Sequence, residues 1–250
     1  MNTEEQFRKR ITELGTMSFM KDMVMFSDFL DLYQQSVVRS ISWKNTGVHV
    51  EFNGGHEFSE RRMAAFIPDT LYYEWDYPFS CLEIRPLNPK YAEKLNHRDF
   101  MGSILSLGVD RSRIGDIIVK NSQAWFFCHD QLIDFFMNEL HMIRHTEVSV
   151  RISSADPEDV RPDMKEISGS IASLRLDSII ALAFGVSRSS ISALIPKGGV
   201  QVNARPVTSA AFQISPGDVI SVREYGKCRF EGSLKTTKKG RSIVKLYKYI

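Results

Sequence analysis

The sequence predicts an α+β chain of three small domains, the middle one on the ferredoxin-like plan. Three observations carry that expectation. Hydrophobic periodicity through the middle third reads β-α-β-β-α-β. A polar stretch from Ser153 to Ser170, with Pro157 and Pro162, then interrupts regular structure and has the composition of a linker. Near that stretch the charge balance reverses: Arg161–Ile250 holds 15 Lys and Arg against 6 Asp and Glu, whereas residues 1–160 hold 17 against 24. The overall net charge of +2 conceals this division. The expected boundaries are an N-terminal α/β domain at 1–72, an RRM-like domain at 73–155, a linker at 156–170 and a basic C-terminal domain at 171–250.

In the first domain, Thr3 with Gln6 forms a plausible capping box for a helix to about Leu14. Ser27 can cap a second helix, in which Phe29, Leu32, Tyr33, Val37 and Ile41 recur at helical spacing. Val48, Val50 and Phe52 alternate as a strand that Asn53-Gly54-Gly55 turns. Ser59 caps a short segment leading into Ala64-Ala65-Phe66-Ile67-Pro68.

The middle domain opens with a strand at Cys81–Arg85, before Pro86. A helix from Arg98 to Leu107 stops at Gly108, and strands follow at Asp116–Val119 and Ala124–Cys128. Asp130 is expected to cap a helix to about Leu140, and Glu147–Ile152 closes the domain as a strand. Many RNA-recognition modules use this plan, and so do proteins with unrelated tasks. In the last domain, a helix from Leu174-Arg175-Leu176-Asp177 runs to about Phe184 and stops at Gly185. Ser187 has the chemistry of an N-cap for a helix over Arg188–Ile195, followed by a turn at Pro196–Gly199. Val200 and Val202 alternate as a strand, Asn203-Ala204-Arg205 turns, and later strands fall at Val219–Val222 and Ser242–Leu246.

Composition narrows the function. No stretch approaches the roughly 20 apolar residues that span a bilayer, and the opening MNTEEQFRKR lacks a charged-then-apolar signal pattern. A cytoplasmic protein with no membrane partner is expected. Cys81, Cys128 and Cys228 are few, odd in number and far apart, which suits reduced thiols. Without a C-x-x-C pair, a cysteine zinc site is excluded, and no cofactor is expected.

The strongest chemical constellation is Arg175, Ser187, Arg188, Ser189, Lys197 and Arg205. A helix opening on Ser-Arg-Ser offers backbone N–H groups, hydroxyls and a guanidinium together, a combination that suits phosphate. Lys197 lies in the turn at the far end of that helix and Arg205 in the next turn. The bland alternative is a capped surface helix with scattered cations. The grip also requires Arg175, Arg188 and Lys197 to face one way without being absorbed by carboxylates of the chain. The tail from Lys227 to Ile250 adds eight Lys and Arg against one acid, with Lys235, Lys238, Lys239 and Arg241 around a hairpin-like turn. Such a loop would make binding strongly salt-dependent.

The runs Leu174–Asp177, Ser187–Ser189, Lys197–Asn203 and Gly217–Val222 resemble the S-four domain, a small RNA-binding module. The resemblance covers about Ser173 to Lys227, and Ala204 replaces the glycine usual after the strand Asn. It implies that Arg175, Ser187, Arg188, Ser189, Lys197, Asn203 and Arg205 touch structured RNA; the charge density of the tail, not the resemblance, adds Lys227, Lys238, Lys239 and Arg241 as phosphate-facing candidates. The run Leu95–Val119, together with Phe52–Gly55 and Glu60-Arg61-Arg62, is similar to the YlmH family. Membership implies a bacterial cytosolic protein acting on the ribosome. The partners it implies are rRNA of the large subunit and, for members linked to rescue of stalled subunits, peptidyl-tRNA. Older descriptions attach the family to cell division, and the resemblance leaves both roles open. Oligomeric state is not legible; a monomer is the simpler expectation.

Four further features carry two readings each. His97, Arg98, Arg111 and Arg113 flank the middle helix and could form a second RNA surface. A His97–Asp99 catalytic pair is the less favoured reading, since Asp99 can stabilise the helix start and Asp116 can orient an arginine. Trp125 and Phe127 share one strand face and Phe126 the other; core packing is favoured over base stacking. His141 and His145, four apart, would suit a metal only on a shared helix face.

Enzymatic alternatives are weaker. A pseudouridine synthase would need a His-Arg-Leu-Asp-like catalytic run, where Leu174-Arg175-Leu176-Asp177 stands. A methyltransferase would need a glycine-rich loop after a strand, and none is present. A non-enzymatic RNA-binding protein is the reading carried forward.

Overall fold

The computed structural model describes residues 3–155, 160–237 and 240–250. The expected capping role of the Thr3 side chain, the linker residue Pro157 and the loop cations Lys238 and Lys239 lie outside the described residues. The chain divides into two compact units, Met1–Pro162 and Asp163–Ile250.

The first unit begins with α1 (Thr3–Lys21), β1 (Met25–Leu30), α2 (Leu32–Ser40), β2 (Val48–Asn53) and β3 (Arg62–Pro68). The strands form an antiparallel sheet in the order β1-β3-β2. Helix α1 continues past Leu14 despite Gly15, because the Trp43 ring packs where a glycine Cβ would be. Ile11 is buried on this sheet with Phe66 and Val38.

Ser27 caps no helix. It lies inside β1, where its hydroxyl accepts from the Ala64 N–H of β3 (2.9 Å). Pairing with a strand 37 residues away outweighs the local helical spacing of Phe29 and Leu32. The true cap is Asp31: its carboxylate accepts from Gln34 N–H, and the Gln34 amide oxygen accepts from Asp31 N–H.

The second half of this unit contains β4 (Phe79–Pro86), α3 (His97–Ser106), β5 (Ile114–Lys120), β6 (Gln123–His129), α4 (Ile133–Glu139), β7 (Met142–Ile143) and β8 (Thr146–Ile152). The sheet is antiparallel in the order β5-β6-β4-β8-β7. Apart from the two-residue β7, this is the β-α-β-β-α-β plan. Asn96 and Asp99 form the capping box of α3, so Asp99 stabilises the helix start. Asp130 opens a 3₁₀ turn instead of capping α4, and its carboxylate accepts from the Ser80 hydroxyl. Leu82, Ile84, Phe126, Phe100, Ile104 and Phe136 bury one face of the sheet under the two helices.

Residues 1–72 and 73–155, expected as separate domains, pack as parts of one body. The other face of the five-stranded sheet offers Ile118 and Phe127, which bury against Phe29 and Met63 of the first sheet. This resolves the aromatic strand: Phe126 lies under the helices and Phe127 in the seam, with Trp125 half-buried beside it. Arg61 staples the seam. Its guanidinium donates to the carbonyls of Ile114 (2.9 Å), Phe29 (2.7 Å) and Arg111 (3.1 Å). Asp116 accepts from the backbone N–H groups of Glu60 and Arg61.

The second unit contains β9 (Met164–Ile171), α5 (Leu176–Phe184), α6 (Arg188–Leu194), β10 (Val200–Val202), β11 (Arg205–Pro206), β12 (Val219–Val222), β13 (Gly226–Thr236) and β14 (Ser242–Tyr249). Its sheet runs β11-β10-β12-β13-β14-β9. Strand β9 falls largely within the expected linker 156–170. It pairs with β14 from Ile171↔Ser242 to Met164↔Tyr249 and closes that edge of the sheet. Composition misled here because the core needs little from this strand: Ile167 and Ile171 face it, and Gly169 leaves room for Leu182. Helices α5 and α6 and the 3₁₀ turn that follows them cover the sheet through Ile179, Ile180, Ile191 and Ile195. Among the described residues no single helix is long and apolar enough to cross a membrane; α5 and α6 are bent by 118° where they meet, and both contribute to this core.

The turn after β10 places Asn203 at φ 49° and Ala204 at φ 63°. Two left-handed residues suit an Asn-Gly turn, and alanine there carries steric strain. Ala204→Gly is expected to stabilise the chain by about 0.5–1 kcal/mol, the relief exceeding the added unfolded-state entropy. A thermal melt that shows no rise, or a fall, would contradict the strain.

Candidate nucleic-acid interface

Local chemistry builds the start of the site as expected. Gly185 ends α5 in the left-handed conformation, φ 66°. The Ser187 hydroxyl then accepts from Ser190 N–H (3.2 Å) and caps α6. Ser187 and Ser189 are exposed, with their hydroxyls 3.0 Å apart. Helix α6 spans seven residues and continues as a 3₁₀ turn, Ile195–Lys197. So short a helix supplies little dipole, and the cations carry the electrostatics.

Arg175 and Arg188 converge on one carboxylate, so the condition that none of the three cations be absorbed by a carboxylate of the chain is not met: among the described residues only Lys197 meets it, and the expectation of a freely presented arginine pair is corrected. Asp177 is buried at the start of α5, its side chain 4% exposed. It accepts from Arg175 Nε and Nη2, both at 3.2 Å, and from Arg188 Nη2 at 2.6 Å. The Arg175 and Arg188 side chains are 37% and 52% exposed. One negative charge against two positive ones leaves the cluster at +1. The carboxylate thus costs half the charge of the pair while fixing both planar groups beside each other. The Arg-Leu-Asp spacing carried a signal of this, since residue 177 falls in the first turn of a helix that residue 175 precedes.

Burial alone would raise the Asp177 pKa, but hydrogen bonds from Arg188 and Arg175 outweigh it and hold the group below its usual value. A depressed folded pKa stabilises the fold above the unfolded value, near 3.9, and that contribution is lost as pH falls through the folded value. Asp177→Asn is therefore expected to cost about 2 kcal/mol at pH 7 and progressively less below pH 4. Urea midpoints of both proteins across pH 7 to 3 check this; a pH-independent difference would contradict the assignment.

The other expected residues divide. Lys197 is exposed and makes no ion pair among the described residues. Arg205 is exposed on β11. Lys227 lies over the Tyr249 ring, 5.4 Å from its centroid. Asn203 works inside the fold: its amide donates to Asp218 Oδ1 (2.7 Å), and its oxygen accepts from Val219 N–H (3.0 Å). Arg241 ties β14 to β9 by donating to the hydroxyl and carbonyl of Ser170. Because both partners are neutral, its charge remains available.

The second expected surface is not assembled as such. Arg111 turns inward and donates to the carbonyls of Ile114 (2.6 Å) and Gly115 (3.0 Å). Burial, with neighbouring Arg61, lowers its pKa to about 10 against the pull of Asp116. Arg113 reaches Asp28 (3.3 Å), which also accepts from Arg10. His97 and Arg98 are exposed at the start of α3. The inward turn was illegible because those carbonyls belong to a bulged strand whose course depends on the seam. His141 follows the end of α4, and His145 sits in the turn between β7 and β8, so they share no helix face. The three thiols are free, and burial raises each to about 12.

Comparison with known proteins places modules on these units. Residues 73–156 match the "Putative RNA-binding domain in YlmH", and residues 174–220 match the S4 domain. The chain is 26% identical over 242 residues to ribosome-associated protein quality control protein P2 of Bacillus subtilis, covering 94% of this chain and 86% of that protein. It is 43% identical over 54 residues to small ribosomal subunit protein uS4 of Chromohalobacter salexigens, 26% of that protein's length. In fold it is similar to cell division protein ylmH from Streptococcus pneumoniae, with a TM-score of 0.51 and 21% identity over 61% of this chain and 93% of the other. The modules are RNA-binding ones, and they bracket both Asp177 with its arginines and the five-stranded sheet.

Proposed function

Because the chain belongs to the YlmH family, joining that family's central domain to an S4 domain, we propose that it is a non-enzymatic RNA-binding protein that acts on the ribosome. The observation that carries this reading is the joining of the two RNA-binding modules in one chain, and the S4 unit contributes an arginine pair that keeps a net positive charge after pairing with Asp177. The pair presents two guanidiniums of fixed geometry at the head of α6, with Lys197 exposed beyond the helix. Planar donors held in place suit phosphate oxygens of a folded RNA. Arg205, Lys227 and Arg241 add longer-range charge, which gives affinity for RNA as a class.

The quality-control name of the Bacillus subtilis relative supports a finer reading. On it, the protein engages stalled large subunits, contacting rRNA and the peptidyl-tRNA they retain, in the cytoplasm and as a monomer. Co-sedimentation with separated ribosomal subunits at rising salt tests this. The expected result is association with the large subunit at low salt that falls steeply as salt rises. Absence from both subunits at the lowest salt would overturn the ribosomal reading and favour a protein partner, as the division title of the Streptococcus pneumoniae protein suggests. Incubation with rRNA should leave its nucleotides unchanged; a stoichiometric modification would overturn the non-enzymatic part.

A further inference from the structure

The five-stranded sheet repeats the device at Asp177 on an unrelated scaffold. Glu83 of β4 is buried, its side chain 3% exposed. Arg85 Nε reaches its Oε1 at 2.5 Å, and Arg151 Nε of β8 reaches its Oε2 at 2.8 Å. Each carboxylate oxygen is taken by one Nε, and the two arginine side chains remain 46% and 54% exposed. As at Asp177, one buried negative charge holds two half-exposed guanidiniums and leaves +1.

Register places these groups on the sheet face opposite the helices. Leu82 and Ile84 point into the helical core, so Glu83 and Arg85 point away from it. Glu83 is directly across from Arg151 on one side and Trp125 on the other, and Arg85 is across from Ser149. The seam with the first sheet lies on this same face, built from Ile118 and Phe127 with Phe79, Cys81 and Trp125 packed against it, so Arg85 and Arg151 stand at the edge of the seam. The Trp125 indole Nε1 is buried with no hydrogen-bond partner among the described residues.

A buried Glu with two arginines is an expensive way to stabilise a sheet, since an apolar trio usually serves as well. Its particular product is a pair of guanidiniums whose Nε atoms are occupied while the side chains that carry them stay about half exposed. We propose that Arg85 and Arg151 form a second phosphate-binding site, which takes the backbone of an RNA strand on the face of the central sheet. This inference rests on the RNA-binding reading above, but it concerns a different unit from the Asp177 site. It also moves the RNA contact of the central domain away from Arg111, which turns inward onto the carbonyls of Ile114 and Gly115.

Truncating the arginines alone would strand Glu83 and could unfold the sheet. The test therefore uses the neutral, near-isosteric triple variant Glu83→Gln/Arg85→Gln/Arg151→Gln in the full chain, with Glu83→Gln alone as its partner. Filter binding to a fragment of large-subunit rRNA is measured across a salt series, alongside Lys197→Ala. The triple variant, folded by thermal melt, is expected to bind about tenfold more weakly, with the slope of log K against log salt reduced by about 1.4–1.8, the loss of two phosphate contacts. Glu83→Gln alone keeps both cations and is expected to bind at least as tightly as the parent. Equal affinity and slope for the triple variant and the parent, while Lys197→Ala weakens binding, would overturn this site and leave the S4 reading intact. Should no protein in the series bind, parent included, the RNA-binding reading itself fails. If the triple variant does not fold, Arg85→Lys/Arg151→Lys replaces it: weaker binding at an unchanged salt slope supports the fork geometry, and unchanged affinity overturns it.

Discussion

Arg188→Ala combined with Lys197→Ala is expected to weaken RNA binding about 30-fold at moderate salt, on the basis of about 1 kcal/mol for each charged contact. The two changes act differently. Lys197 is exposed with no ion pair among the described residues, so its loss removes one mobile charge. Arg188 shares Asp177 with Arg175, so its loss also turns a +1 cluster into a neutral pair. The single Arg188 variant should therefore lose more than the Lys197 variant. Filter binding across a salt series measures both terms, and the salt slope of the double variant should drop by about 1.4–1.8. If neither affinity nor slope changes, the S4 unit does not grip RNA through this face. Asp177→Asn discriminates further. It removes the carboxylate and raises the cluster to +2, so RNA affinity should rise while stability falls. A merely structural ion pair would lose stability and leave RNA affinity unchanged.

Gly55→Ala is expected to be the most damaging small substitution in the first unit. Gly55 has φ +94°, and an added Cβ would lie 2.0 Å from Phe127 Cε1 and 2.4 Å from Cδ1. Phe127 has little freedom to move. Its ring is buried with Phe29, Met63 and Ile118, and it meets Phe79 edge-on at 6.1 Å. Overpacking and positive-φ strain together should cost about 2–5 kcal/mol. The urea midpoint should fall accordingly, and Gly55→Ala/Phe127→Leu should recover part of the loss, because the shorter side chain makes room. A midpoint indistinguishable from the parent would mean that the turn at Gly55 does not press on the seam.

Local chemistry explains which elements could be read in advance. The caps at Ser187 and Gly185, the Asn203-Ala204 turn and the alternation along β2, β4, β6 and β8 depend on residues within a few positions of each other. The elements that misled have distant partners. Ser27 is claimed by Ala64, Arg111 by the carbonyls of a bulged strand, and β9 by a strand some 80 residues further on. Each local pattern was real, and a long-range pairing outweighed it.

By itself the sequence determined the modules, their order and the concentration of cations in the last third, because hydrophobic period, turn residues and formal charge are properties of neighbours along the chain. Only the tertiary structure decided what those cations are worth. Arg175 and Arg188 lie 13 residues apart yet share Asp177, and Arg85 and Arg151 lie 66 apart yet share Glu83. A carboxylate neutralises and aims whichever guanidinium the fold brings within about 3 Å, and that distance is set by strand register and helix packing.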